Sequence, residues 1–321
     1  MNIHRLVFIG EPECGKTVFF VRMRDFMAML VSHQRSKQSP WSGLASPPAL
    51  RLREWLRGRF ADMFELVGLG GAVAHYVETQ ETTERMRSFQ QALVAGQWPK
   101  STDPKDDPST RRADITIVRG VSVFRQTYTV SLRDYCGETV MRACGAHSAA
   151  LSPPDATKGS KSGQVLDRSS PLDEQSEELR CLIDEGCSVV FVLDGKKLYE
   201  GKLPEISERA IAALAKGALD RRRSVRLICV VTKRDEIDDA ERGDKSPRAA
   251  QGEAWAASSY LSSEHPAFWN HLMALGAPCI EVSAVKTRVG AVGKRVPVVT
   301  TGEFDVGLAR VVEWFLMGST R

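Results

Sequence analysis

Two segments of this chain, Val189-Val190-Phe191-Val192-Leu193 and Leu227-Ile228-Cys229-Val230-Val231, are apolar at every position. A strand with one wet face alternates polar and apolar residues. A strand with no polar position at all has helices against both faces, as at the centre of a parallel sheet. Four more runs rich in branched residues complete an expected set of strands at 3–9, 113–118, 126–132, 188–193, 225–231 and 278–282. Helical spacing marks 17–31, 172–185, 204–219 and 306–317, the last with Val306, Leu308, Val311, Val312, Phe315 and Leu316 on one side. Strands alternating with helices predict an α/β fold with a mostly parallel sheet.

Three segments are more than such a fold needs. Residues 32–110 form a long insertion between the first helix and the second strand. Within it Leu52, Trp55, Leu56, Phe60, Met63, Phe64 and Val67 fall at helical spacing, and a weaker helix is expected near 81–95, so the insertion is expected to be helical. It either packs plainly on the main domain or serves as a docking surface near the site. Residues 146–172 and 238–253 are polar and are expected as mobile loops.

Charge and cysteine usage narrow the setting. Lys plus Arg number 44 against 40 Asp plus Glu, a net charge of +4, too balanced to announce a nucleic acid or an anionic membrane as partner. No apolar run approaches the roughly 20 residues that cross a bilayer. The first ten residues lack the pattern of a secretion signal. Seven scattered cysteines with no CxxC pair suit a reducing compartment, so a cytoplasmic protein is expected.

The chemistry is concentrated in four short motifs. Gly10-Glu11-Pro12-Glu13-Cys14-Gly15-Lys16-Thr17 fits GxxxxGK[ST], follows an apolar strand and opens a helix. Glycines there allow a close backbone approach, and successive amides at a helix N-terminus cradle an anion. Lys16 is expected to reach the β- and γ-phosphates and Thr17 to bind Mg²⁺. Contacts to the nucleotide are expected from Gly10, Glu13, Cys14, Gly15, Lys16, Thr17 and Val18. Asp134-Tyr135-Cys136-Gly137-Glu138 fits DxxG at a strand end. Asp134 suits a metal held through water, and the Gly137 amide suits sensing of the γ-phosphate. Thr232-Lys233-Arg234-Asp235 matches [NT]KxD. A carboxylate at Asp235 accepts from both N1–H and the 2-amino group of guanine, while the Lys233 stem lies along the base. Ser283-Ala284-Val285 follows the last strand, with the Ala284 amide placed for the guanine O6. Each motif alone is weak; their order at successive strand ends carries the information.

These residues resemble a phosphate-loop GTPase of the translation-factor and Ras-like class. The GEPECGKT loop, the DYCGE signature and the large insertion look most like bacterial double-GTPase proteins of multi-gene conflict or signalling systems. The resemblance covers most of the chain outside 32–110 and the polar loops. It implies a three-layer fold with a six-stranded sheet, a single domain over 1–321, GTP or GDP with Mg²⁺, and switch segments that respond to the γ-phosphate. It also implies a threonine completing the metal shell, for which Thr102 is the choice and Thr110 the runner-up. Protein partners are expected through the insertion and the switch segments. Three features depart from the family pattern. Glu138 stands where many relatives carry a water-positioning glutamine, Glu13 places an acid near the phosphates unless it turns outward, and Thr232 replaces the more frequent asparagine.

The expected function is therefore a GTP-binding switch with slow hydrolysis, Lys16 and Glu138 being the catalytic candidates. Lys100 or Arg111 are candidates for a cation supplied in cis. A GTP-bound scaffold that does not hydrolyse is the alternative, and a phosphate-loop ATPase or kinase leaves the TKRD and SAV segments unexplained. The histidines show no metal-ligand spacing, so no structural metal is expected. Cys14 reads either as a redox-sensitive thiol at a helix start or as a small neutral residue.

Overall fold

A computed structural model of the chain describes residues 2–11, 13–36, 73–77, 80–99, 113–119, 126–135, 137–143, 171–221, 226–243, 255–290, 294–299 and 304–318. In chain order the first half comprises β1 (Asn2–Gly10), α1 (Lys16–Ser36), β2 (Val73–Val77), α2 (Gln80–Val94), β3 (Ala113–Arg119), β4 (Gln126–Asp134) and α3 (Gly137–Ala143). Then follow α4 (Pro171–Asp184), β5 (Ser188–Asp194), α5 (Gly195–Tyr199), α6 (Glu205–Arg221), β6 (Arg226–Thr232) and α7 (Arg234–Gly243). The last part holds α8 (Ala257–Glu264), α9 (Pro266–Ala274), β7 (Cys279–Glu281), β8 (Lys286–Val289), β9 (Arg295–Val298) and α10 (Val306–Gly318).

The main sheet runs β2-β3-β4-β1-β5-β6-β7. The pairs β4·β1, β1·β5, β5·β6 and β6·β7 are parallel, and β2·β3 and β3·β4 are antiparallel. All six strands expected from sequence are present. The seventh, β2, lies at the sheet edge inside the span expected to be a helical insertion. Five residues pairing on one side only leave a weak periodic signal, and tertiary pairing with β3 decides their conformation. The second helix expected in the insertion is present as α2, whereas the apolar stripe 52–67 lies outside the described residues.

The pleat divides the core in two. Leu6, Phe8, Val190, Val192, Ile228 and Val230 point to one face and pack against α1, α2 and α10. Val7, Ile9, Val189, Phe191, Leu193, Leu227, Cys229 and Val231 point to the other and pack against α4, α6, α8 and α9. This arrangement, a sheet covered on both faces, explains the unbroken apolar runs of β5 and β6. Each such side chain contributes roughly 1.5–3 kcal/mol on burial. Phe8 meets Phe20 edge-on at a ring-centroid separation of 5.3 Å. Among the described residues, no helix is long and apolar enough to cross a membrane.

Two of the polar segments differ from their expected loop state. Residues 238–243 belong to α7, whose charged face is tied down by Arg234, and α4 begins at Pro171. The remainder, 144–170 and 244–254, lies outside the described residues.

Candidate functional site

Strand register sets the site. Phe8 pairs with Asp134, Gly10 with Val192, and Asp194 with Thr232. The carboxyl ends of β1, β4, β5 and β6 therefore lie side by side. The sheet also reverses its order of addition about β1, and a crevice outside the strand ends at that point is where such sheets place ligands.

The Gly10–Thr17 loop leaves β1 at a position that tolerates no side chain. A Cβ on Gly10 would lie 2.3 Å from the Val192 carbonyl oxygen of β5. Beyond it Glu13 has φ 62° and Gly15 φ 86°, left-handed torsions of the kind from which amide nests are built. The Glu13 side chain is exposed, so the acid turns outward. Lys16, only 6% exposed, donates from Nζ to the carbonyls of Gly10 (3.2 Å) and Glu11 (2.9 Å). Its ammonium thus lies across the loop, with three protons and two carbonyls to take them. Val18 is half-buried against the α1 side of the core. Cys14 is fully buried, and burial pushes its thiol up to about 11. That favours the small-neutral-residue reading of Cys14 over a reactive thiolate.

Thr17 Oγ1 donates to Asp134 Oδ2 at 3.2 Å. Asp134 is fully buried at the end of β4. A hydroxyl and a carboxylate in contact are two hard oxygen donors, a set that suits Mg²⁺, which keeps several waters and phosphate oxygens rather than an all-protein cage. The described residues hold no cluster of three or more His, Cys, Asp and Glu able to bind a metal. Gly137 begins α3, anchored by Thr139, which donates to Gln175 of α4 at 3.2 Å. The Glu138 side chain, Thr102, Thr110, Lys100 and Arg111 lie outside what is described.

The TKRD segment is bound to the Gly10–Thr17 loop directly. Thr232 Oγ1 stands 2.6 Å from the Cys14 carbonyl oxygen and 3.0 Å from that of Leu193. A hydroxyl has one proton, so it serves one carbonyl at a time, where an amide would serve two. Lys233 adopts φ 60°, uncommon for a residue with a side chain, and its Nζ donates to Asp194 Oδ2 at 2.5 Å. Arg234 turns away from the crevice and ties α7 to its neighbours. It bonds Asp238 (2.7 Å), Glu281 (2.8 Å) and the Trp255 carbonyl (2.6 Å). Asp235, in the first turn of α7, lies beside Ser283, whose hydroxyl donates to Oδ1 at 3.1 Å, while the Asp235 amide donates to the same hydroxyl at 2.8 Å. The Ala284 carbonyl accepts from Arg22 Nε at 3.2 Å, and the Arg22 guanidinium lies 4.5 Å from the Phe304 ring centroid.

Several site residues carried no motif signal. Asp194, 2% exposed, ends β5, caps α5 by accepting from the amides of Lys196 (3.0 Å) and Lys197 (3.2 Å), and holds Lys233. Its place at the carboxyl end of an apolar strand was the available clue. Glu11 is buried within the loop, and its Oε2 accepts from Lys197 Nζ at 3.0 Å. Burial raises the Glu11 carboxyl above its ordinary range against the opposing pull of Lys197. Asp305 caps α10 by accepting from the Gly307 amide at 2.7 Å. Burial raises its carboxyl too. Finally Thr287, on β8, donates to Asp235 Oδ2 at 2.7 Å.

The structure thus brings together Gly10, Gly15, Lys16, Thr17, Asp134, Lys233, Asp235 and Ser283 around one end of the sheet. In comparisons with known proteins, the chain matches no family model and no curated protein sequence.

Proposed function

We propose that this chain is a guanine-nucleotide-binding switch that hydrolyses GTP slowly with Mg²⁺. The observation that carries the reading is the bond between its two halves. Thr232 joins the loop suited to phosphates to the segment suited to a base, so Lys16 and Asp235 are held in one frame. Lys16 sits at the loop mouth, where an ammonium exchanges backbone carbonyls for phosphate oxygens. Thr17 and Asp134 would hold Mg²⁺, which would supply charge neutralisation to the phosphates. Asp235 offers two carboxylate oxygens to the paired donors of guanine, and the Ser283-Ala284 turn lies beside it. Gly137, at the start of α3, would report on the γ-phosphate through its amide.

Glu138 sets the expected rate. A glutamine both accepts from an attacking water and donates toward developing charge, whereas an ionised glutamate only accepts and adds repulsion. Slow turnover is the consequence, and a protein partner reached through the insertion would be the means of speeding it. A role in a bacterial multi-protein signalling or defence system rests on the family resemblance, and a cytoplasmic setting on the cysteine usage.

Equilibrium titration of the purified protein with GTP, GDP and ATP, with and without Mg²⁺, tests the reading. GTP and GDP are expected to bind at least about a hundredfold more tightly than ATP, because a buried acceptor pair facing the wrong base edge keeps its desolvation cost and gains no donor. Lys16→Ala is expected to abolish tight binding. Equal affinities for ATP and GTP refute the guanine assignment.

A further inference from the structure

The β8–β9 ribbon stands outside the main sheet. It nevertheless reaches the centre of the proposed base site. In the ribbon, Val289 pairs with Arg295 and Thr287 pairs with Pro297. Thr287 and Val289 share a face, so Arg295 is the diagonal neighbour of Thr287 on that face. Arg295 Nη1 donates to Thr287 Oγ1 at 2.8 Å and to Asp239 Oδ2 at 2.9 Å, and Arg295 Nε lies 3.8 Å from Glu236 Oε2. Two carboxylates of α7 therefore fix the guanidinium, and the guanidinium fixes the hydroxyl. From the other side, Trp98 Nε1 donates to the Arg295 carbonyl at 3.0 Å and pins the start of β9.

The direction of these bonds has a consequence for Asp235. A hydroxyl has one proton, and a guanidinium only donates. Because Thr287 Oγ1 accepts from Arg295, its proton is turned toward Asp235 Oδ2, 2.7 Å away. Ser283 supplies the matching donor to Oδ1 at 3.1 Å. A carboxylate has about four acceptor positions, two on each oxygen. One hydroxyl on each oxygen leaves each oxygen one further position for a donor. Two adjacent acceptors complement a ligand edge with two adjacent donors. They reject an edge with an acceptor in either place.

We propose that Thr287 is a positioning residue for base recognition and that the β8–β9 ribbon, through Arg295, is a specificity element of this chain. This rests on the guanine reading of Asp235 given above. The torsion that turns a carboxylate about its own axis is broad, so without a clamp the group samples orientations that present one acceptor or none. Ser283 alone holds one oxygen; the ribbon holds the other.

The test is competition against a fluorescent GDP analogue with Mg²⁺, using unlabelled GDP and ADP on wild type, Thr287→Val, Thr287→Ser and Arg295→Met. The melting midpoint of each nucleotide-free protein is measured alongside. Valine matches the shape of threonine and removes only the hydroxyl. Thr287→Val is expected to weaken GDP about tenfold while ADP is unchanged, so the preference for guanine falls by the same factor. Thr287→Ser is expected to return GDP binding to within about twofold of wild type, and Arg295→Met to shift the preference in the same direction as Thr287→Val. An unchanged GDP-to-ADP preference in Thr287→Val overturns the inference and leaves the guanine reading standing. Equal weakening of both nucleotides with a lowered midpoint assigns Thr287 a structural role and likewise overturns it. A wild-type protein without preference for GDP overturns both together.

Discussion

Replacing Asp194 tests whether the joint between β5, α5 and β6 holds the TKRD segment in place. The carboxylate makes three bonds, to the amides of Lys196 and Lys197 and to Lys233 Nζ. Loss of a helix cap costs about 1 kcal/mol. Loss of the ion pair leaves the Lys233 ammonium without its acceptor, but the Lys233 side chain is 29% exposed and reaches water, so about 1–2 kcal/mol is the fitting range. Asp194→Ala is therefore expected to lower unfolding stability by about 2–3 kcal/mol. Asp194→Asn keeps a cap acceptor and turns an amide toward Lys233, so its loss should be about 1 kcal/mol smaller. Urea unfolding of both variants, of Lys233→Met and of the double variant Asp194→Ala with Lys233→Met measures the terms separately. The double-variant cycle should give a coupling of about 1 kcal/mol. Equal losses for Asp194→Ala and Asp194→Asn, or a coupling indistinguishable from zero, would refute the account of Asp194 as both cap and clamp.

Three further outcomes are expected. Burial raises the Glu11 carboxyl, so its ionisation opposes folding. The stability it contributes is present below the ordinary glutamate range and lost as pH rises through the raised value. Glu11→Gln should thus gain stability over wild type as pH increases from about 4 to 8, with Lys197, 38% exposed, turning to solvent; a gain confined to the acid end contradicts this. Gly10→Ala forces a methyl to within 2.3 Å of the Val192 carbonyl oxygen and should cost about 2–5 kcal/mol, read by thermal unfolding; a loss below 1 kcal/mol would mean that β1 and β5 separate easily. Single-turnover hydrolysis should run on the order of 10⁻⁴ to 10⁻³ s⁻¹ in wild type and rise in Glu138→Gln. Fast wild-type turnover lost in both Glu138→Gln and Glu138→Ala would show that Glu138 is a catalytic base.

Local pattern sufficed wherever one short stretch of chain carries the physics. The unbroken apolar runs of β5 and β6 report burial on both faces, because burial acts residue by residue along the strand. The glycine-bearing loop between β1 and α1 was equally legible, since its shape is imposed by a few neighbouring torsions. Lys16, Thr17, Asp134 and Asp235 were marked by the order of their motifs, and the fold gathers them at one end of the sheet. The partners of those residues were decided elsewhere. Asp194 meets Lys233 across 39 positions, Lys197 meets Glu11 across 186, and Thr232 meets Cys14 across 218. Thr287 carries no motif in sequence and becomes a donor to Asp235 only in the folded chain. A half-buried charge accepts whatever opposite charge packing brings within reach, so its partner is a property of the assembled chain. Edge strand β2 belongs with these. Its state follows from the open edge of β3, a surface that exists only once the sheet has formed.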